Sequence, residues 1–231
     1  GIKPLVRSEI DGSLLFSSEI KAFHAHEAYR PKFDETSLAL RLSWEYSLDS
    51  STLIEGVHQV RPGTVEIWKL DAESKPYLSS VSNYERQKII PDETWNPQID
   101  SETLLESFTV SVQERLMADV PVGIVLSGGL DSSLVAAVAS EAAEREGKPV
   151  PACWTVAESE DNPDWIAAEN VAASLDLVHH KTIMSEDSFV KDIPKLSWYG
   201  EDLDVSVLFF QPLFQQMRQH VKVGLCGQGA D

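Results

Sequence analysis

The stretch Pro121-Val-Gly-Ile-Val-Leu-Ser-Gly-Gly-Leu-Asp-Ser-Ser133 constrains this chain more than any other. Val122 to Leu126 is an apolar run rich in β-branched residues, as expected of a parallel strand buried on both faces. Ser127-Gly128-Gly129 breaks the run, and the alanine-rich segment from Leu134 to Glu146 reads as a helix closed by Gly147. A strand, a glycine turn and a helix N-terminus together make an anion site. The first helix amides have no intrahelical partner, and the helix dipole favours negative charge there. Gly128 and Gly129 let the backbone come close to a ligand, while Ser127, Ser132 and Ser133 add hydroxyl donors. Asp131 fits beside a phosphate only if it holds a metal ion between itself and the phosphates.

The loop lacks the lysine of Gly-x-x-x-x-Gly-Lys-Ser/Thr, and no complete Gly-x-Gly-x-x-Gly occurs in the chain. Ser-Gly-Gly-Leu-Asp-Ser-Ser instead resembles the pyrophosphate loop of the ATP pyrophosphatases, which cleave ATP to AMP and pyrophosphate to activate a carbonyl or carboxyl group. The bland alternative is a Gly-Ser turn between a core strand and a helix. The strand–turn–helix setting weighs against it.

Composition removes several function classes. A formal charge of -18 disfavours nucleic-acid or anionic-membrane binding through bulk electrostatics, so an anionic nucleotide must rely on local amides and a metal. Cys153 and Cys226 are too few for a disulfide framework and too far apart for a Cys-x-x-Cys metal site. With no signal peptide and no long apolar span, the expected compartment is a reducing cytoplasm.

Taken in order, residues 1–75 read as β-rich. Ile2 to Arg7 and Leu14 to Ser18 are short strands with a hairpin signal at Asp11-Gly12. Glu19 to His26 and Glu35 to Tyr46 are short helices, the second capped by Asp34. Arg61-Pro-Gly-Thr turns into an alternating strand at Thr64 to Leu70. Residues 76–99, with Asp71-Ala-Glu-Ser-Lys-Pro before them, are polar and proline-bearing and read as a linker. A helix capped by Asp100 or Ser101 follows, with Leu104, Leu105, Phe108, Val112 and Leu116 on one core-packing face. Beyond the central loop come strands at Pro151 to Ala157, Val178 to Ile183 and Val221 to Cys226. They alternate with helices opening at Asn162-Pro163, Ser185 and Ser206, the last two broken or bent by Pro194 and Pro212. That alternation over residues 100–231 argues a doubly wound parallel α/β sheet.

A second resemblance comes from the N-terminal half. Gly1-Ile-Lys-Pro-Leu, Asp11-Gly-Ser-Leu-Leu-Phe-Ser-Ser-Glu-Ile-Lys-Ala and Thr52-Leu-Ile-Glu-Gly-Val-x-x-Val-x-Pro-Gly look like the end of a class II glutamine amidotransferase domain. Followed at the right distance by the Ser127 loop, they make nearly the whole chain resemble the B-type asparagine synthetases. The resemblance implies an adenine nucleotide alpha hydrolase-like fold in residues 100–231, preceded by a partial β-rich glutaminase domain. It also implies a chain cut from a longer protein at both ends and inactive by itself. The family's N-terminal cysteine nucleophile is replaced by Gly1, and Cys153 and Cys226 sit on strands of the other domain.

In an open α/β sheet, ligands lie beyond the carboxyl ends of strands at a switch in strand order. Cys226-Gly227-Gln228-Gly229-Ala230-Asp231 therefore faces the Ser127 loop, and it resembles the family's Ser-Gly-Glu-Gly-x-Asp segment. On that resemblance Leu126, Val156, Cys226 and Gly227 meet the adenosine part of ATP. Ser127, Gly128, Gly129, Ser132 and Ser133 hold its phosphates, while Asp131 and Asp231 hold magnesium. The implied chemistry is adenylation of a carboxylate, aspartate in the family, with release of pyrophosphate. Ammonia derived from glutamine then forms the amide, and a homodimer is left open. Two departures weaken aspartate more than they weaken ATP. Gln228 stands at the family's glutamate and cannot act as a base. The Asp204 to Pro212 segment lacks the Thr-Thr-x-Arg pattern. A ring-closing β-lactam synthetase-like ligase or a non-catalytic nucleotide-binding homologue are the rivals. His179-His180 has no third metal ligand at a recognisable spacing.

Overall fold

The computed structural model describes residues 3–44, 49–84, 93–201 and 206–229. The chain divides into two units, Gly1–Ile90 with Pro194–Asp204 and Pro91–Ile193 with Val205–Asp231. In the first, β1 (Val6–Ile10) and β2 (Ser13–Ser17) pair antiparallel around Asp11 and Gly12, whose φ values of 50° and 74° are those of a two-residue hairpin turn. Strand β1 starts later than the expected Ile2, which lies outside the described residues. A 3-10 helix at Ile20–Ala25 and helix α1 (Glu35–Trp44) follow, and Asp34 caps α1 by accepting from the Ser37 amide at 2.8 Å. Strand β3 (Val57–Gln59) returns beside β1, and Val6, Ile10, Phe23, Tyr29 and Val57 form the core.

The expected linker is partly a strand. β4 (Thr64–Leu70) pairs antiparallel with β5 (Pro76–Asn83). Asp71-Ala-Glu-Ser-Lys is the loop between them: the Asp71 carboxylate accepts from the Glu73 and Lys75 amides at 2.9 and 2.8 Å. Pro76 opens β5, a position where a missing N–H is tolerated.

The second unit opens with α2 (Pro97–Arg115), capped by Asn96 rather than by Asp100 or Ser101. Asn96 Oδ1 accepts from the Gln98 amide at 3.0 Å, and Asp100 reaches back to the Asn96 amide at 2.7 Å. Val112 is buried and Phe108 and Leu116 are partly so, but Leu104 and Leu105 are exposed; only the C-terminal half of the expected face packs. Then come β6 (Val122–Val125), α3 (Leu130–Arg145), β7 (Cys153–Ala157), α4 (Pro163–Ser174) and β8 (His179–Ile183). Helix α5 (Glu186–Gly200) follows, its residues from Pro194 onward counted with the first unit, and α6 (Ser206–Met217) and strand β9 (Val223–Leu225) complete the second. The helices run through Pro194 and Pro212 rather than ending there.

All neighbours in this sheet are parallel, in the order β8-β7-β6-β9. This is the doubly wound α/β class expected. One face carries the small side chains of α3 and α4, Ala136, Ala139, Ala168 and Ala172, against Ile124, Leu126 and Cys153. The other carries Trp154 packed with Leu213 and Met217 of α6 and with Val221. Trp154 lies over β6: a Cβ added at Gly123 would stand 2.3 Å from its ring. Among the described residues no helix is long and apolar enough to cross a membrane.

Trp154 also starts a ring stack. The His180 ring lies 4.7 Å from it at 14°, and the His220 ring 5.1 Å from His180 at 24°. Burial first, then the charge of His220, pushes His180 below the ordinary histidine range. His179 moves the same way, through burial and then Lys181. The unfolded chain therefore takes up these protons more readily than the folded one. The stabilisation is fully present above a pH of about 6.5 and is lost as the pH falls through the folded values. Denaturant midpoints should accordingly be lower at about pH 5 than at pH 7.5, the histidines' unfolded pKa lying between them. A midpoint that stays constant or rises on acidification, with His180 present, contradicts this account.

Candidate functional site

The strand order places the two glycine-bearing turns side by side. β6 and β9 are neighbours although β7 and β8 lie between them in sequence, so the chain reverses its direction of winding there. The Ser127–Ser133 turn leaves the carboxyl end of β6, and Cys226–Gly229 leaves that of β9. The turns touch: a Cβ on Gly227 would stand 2.6 Å from the Ser132 amide nitrogen and 2.8 Å from the Asp131 Cβ. This is the crevice position at which open α/β sheets bind ligands.

Helix α3 presents its N-terminus there. Gly129 is its N-cap and supplies no side-chain cap, so the Leu130, Asp131 and Ser132 amides have no partner from a cap. Gly128 has φ +80°, and the space a side chain would need is filled by the α4 backbone, with Ala168 N at 2.4 Å. The room at Gly128 thus serves the contact with α4. Gly129 has an ordinary φ of -67°, and its open side meets only Ser127 Oγ at 3.5 Å.

The serine hydroxyls are occupied within the loop. Ser133 Oγ donates to the Gly129 carbonyl at 2.6 Å. Ser132 Oγ, on a buried residue, lies 3.0 Å from Ser127 Oγ and accepts from the Ser127 amide at 3.2 Å. These contacts shape the loop and occupy the Ser127, Gly129 and Ser133 amides, so the donors left toward the crevice are the amides of the first turn, Leu130, Asp131 and Ser132. Asp131 lies in the first turn of α3, half-buried. Ala230 and Asp231, the latter the other expected magnesium ligand, lie outside the described residues, as does Asp204. Among the described residues no group of three His, Cys, Asp or Glu side chains converges on a common point.

Leu126 is 1% exposed and its side chain belongs to the core, so only its peptide can face the crevice. Val156 is half-buried on β7, and Cys226 and Gln228 are exposed on the β9 turn. Burial pushes the Cys153 thiol up to about 11, which keeps it an inert core group.

One residue of this site escaped the sequence analysis. Thr155, 2% exposed, donates its hydroxyl to the Leu126 carbonyl at 2.6 Å and lies 2.8 Å from His179 Nε2. The available signal was a hydroxyl inside the buried strand Cys153-Trp-Thr-Val-Ala157, where a buried polar group requires a partner.

The asparagine synthase family matches residues 103–231, and a glutamine amidotransferase domain family matches residues 1–78. Along its whole length the chain is 27% identical to asparagine synthetase [glutamine-hydrolyzing] 1 of Bacillus subtilis. It is 35% identical to asparagine synthetase [glutamine-hydrolyzing] 2 of rice, Oryza sativa subsp. japonica, again over the whole chain. Amidase chry2 of Gibberella zeae is 30% identical, also over the whole chain. The chain spans 35%, 35% and 36% of the lengths of these relatives, in that order. Among solved structures, an NH3-dependent NAD synthetase from Campylobacter jejuni matches 52% of this chain and 50% of its own, at 22% identity and a TM-score of 0.36.

Proposed function

This chain belongs to the asparagine synthase family, and from that premise we propose that it carries the nucleotide-binding part of an ATP-dependent amide-forming synthetase. The proposal extends to residues 1–75 as the end of a glutaminase domain and residues 100–231 as the start of the synthetase domain. The observation that carries it is the meeting of the Ser127–Ser133 and Cys226–Gly229 turns at the switch between β6 and β9.

In the proposed first half-reaction a substrate carboxylate oxygen attacks the α-phosphorus of ATP. The new O–P bond forms as the bond to the β-phosphate oxygen breaks, and pyrophosphate leaves with its electron pair. The Leu130, Asp131 and Ser132 amides stabilise the charge gathering on the leaving group, aided by the α3 dipole. Ammonia then attacks the acyl carbon and AMP departs. The donor set fits a magnesium-bound nucleotide: open amides for phosphate oxygens, and an anionic carboxylate at Asp131 beside them. Asp131 would hold magnesium, with Asp231 as its second ligand, and the ion would neutralise the phosphate charge.

Aspartate is the acceptor this reading carries over from the asparagine synthetases. Gln228 favours a second acceptor reading. An amide at that position orients a substrate but takes no proton, and the similarity to a fungal amidase is as extensive as that to the synthetases. A panel of carboxylates scored by ATP–pyrophosphate exchange in the full-length protein separates aspartate from other acceptors. Exchange with no carboxylate at all would sink the adenylation reading.

Asp131→Asn removes the anionic ligand without changing the loop's size. Loss of groups that only support a metal ligand costs ten- to a hundredfold, so affinity for magnesium ATP should fall by at least about tenfold. Metal-free ATP should bind the asparagine variant at least as tightly as the wild type, since without a metal the carboxylate only repels the phosphates. Equal magnesium-dependent affinities by calorimetry would remove Asp131 from the site.

A further inference from the structure

We propose that Thr155, backed by His179, is a positioning residue for the phosphate loop: it clamps the Leu126–Ser127 peptide so that the amides after it face the nucleotide. The inference rests on the nucleotide reading given above, and its basis is a single peptide unit held from both ends. The Thr155 hydroxyl donates to the carbonyl oxygen of Leu126 at 2.6 Å. The N–H of the same unit, on Ser127, donates to Ser132 Oγ at 3.2 Å. The first hold comes from β7 and the second from the first turn of α3. The last ladder bond of the strand, from the Leu126 amide to the Trp154 carbonyl at 2.9 Å, lies one residue earlier. Beyond it the chain must turn, and this peptide sets the direction of the turn.

The hydrogen bonds also fix a tautomer. Thr155 has one hydroxyl proton, and a carbonyl only accepts, so that proton goes to Leu126. The Thr155 oxygen must then accept from His179, which places a proton on Nε2. Burial pushes the His179 ring below the ordinary histidine range, so the neutral Nε2–H form serves at neutral pH. The charged groups acting on the ring are Lys181, two residues on along the same strand, its ion-pair partner Glu169, and the neighbouring His180. The order of donation runs from His179 to Thr155 to Leu126. A buried hydroxyl needs a partner, and this one takes the carbonyl of the peptide that opens the loop.

The test compares Thr155→Val, which keeps the shape and removes the hydroxyl, with Thr155→Ser, which keeps the hydroxyl. In the full-length protein, ATP affinity should fall about tenfold in the valine variant, the scale of one lost hydrogen bond, and return in the serine variant. Adenosine, which has no phosphates, should bind both variants within about twofold of the wild type, since the phosphate contacts alone are disturbed. Loss of adenosine and ATP affinity together, or of neither, overturns the inference. Hydrogen exchange at the Ser127 amide gives a readout that needs no nucleotide. It should speed up in Thr155→Val while the Leu126 amide, held by the ladder, stays protected. If the wild type binds no ATP, the nucleotide reading falls, and the Ser127 amide still decides: unchanged exchange in Thr155→Val overturns the clamp.

Discussion

Gly227→Ala should cost the protein its nucleotide affinity. The added methyl carbon would stand 2.6 Å from the Ser132 nitrogen, 2.8 Å from the Asp131 Cβ and 2.9 Å from the Asp131 carbonyl carbon. Two of these atoms are backbone in the first turn of α3, so no side chain can swing away. Either the β9 turn withdraws or the start of α3 shifts, and both carry the proposed phosphate donors. A displacement near 1 Å at a site of this kind can cost on the order of a hundredfold in function, and ATP affinity should fall by at least that much. The stability loss should be smaller, about 1–3 kcal/mol, as for other overpacked contacts. Gly129→Ala is the internal comparison. That residue's φ is -67° and its new Cβ would meet only Ser127 Oγ at an ordinary 3.5 Å, so the fold should tolerate it. Denaturant titration gives the stability of each variant and calorimetry the ATP affinity. Wild-type ATP affinity in Gly227→Ala would mean that the two turns do not form one site.

That contact could not be read from spacing. Two glycine-bearing turns at strand ends are visible in sequence, and the switch-point rule brings them together, but only packing shows that Gly227 gives way to α3. At Gly128 the positive φ could be foreseen, whereas the neighbour that needs its missing side chain is α4, nearly forty residues later in the chain. The serines show a similar limit. Their hydroxyls suit a phosphate, yet a loop this tight satisfies its own backbone first, and Ser132 and Ser133 turn to Gly129.

Local signals were legible where a residue type has one use. Asn162-Pro163 spells a cap and first-turn proline, and Asn162 Oδ1 accepts from the Asp164 amide at 2.8 Å. Asn96-Pro97 is the same signal and opens α2 in the same way, but its polar, proline-bearing surroundings read as a linker. Strand β5 was hidden for a related reason. Its sequence Pro-Tyr-Leu-Ser-Ser-Val-Ser-Asn alternates poorly, and all but Pro76 of it is exposed, so its partner β4 and the Asp71 loop hold it rather than a buried face. The ends of α2 differ because the core around α3 takes in only its C-terminal half, leaving Leu104 and Leu105 exposed among the described residues.

Trp154→Ala should produce the largest loss of stability in the second unit, about 3–5 kcal/mol, the range for removing a fully buried large aromatic ring. Trp154 is 1% exposed and the largest of the fully buried side chains. Its ring covers Gly123 of β6, touches α6 through Leu213 and Met217, and stacks on His180. The indole Nε1 is buried with no hydrogen-bond partner among the described residues. Trp154→Phe keeps a ring and removes that orphan donor, so it should cost clearly less than the alanine change. Gly123→Ala alone places a Cβ 2.3 Å from the Trp154 Cζ3 and should cost about 1–3 kcal/mol by overpacking. With alanine at 154 the clash is gone and the new methyl enters the void, so the same substitution should be neutral or favourable. The double variant should therefore be more stable than the two single losses added together, by at least about 1 kcal/mol, well outside the scatter of independent sites. Far-UV circular dichroism against denaturant follows the wild type and all four variants without depending on the tryptophan removed. Additivity within about 0.5 kcal/mol would show that Trp154 does not lie over Gly123, and the α6 face of the sheet would have to be packed some other way.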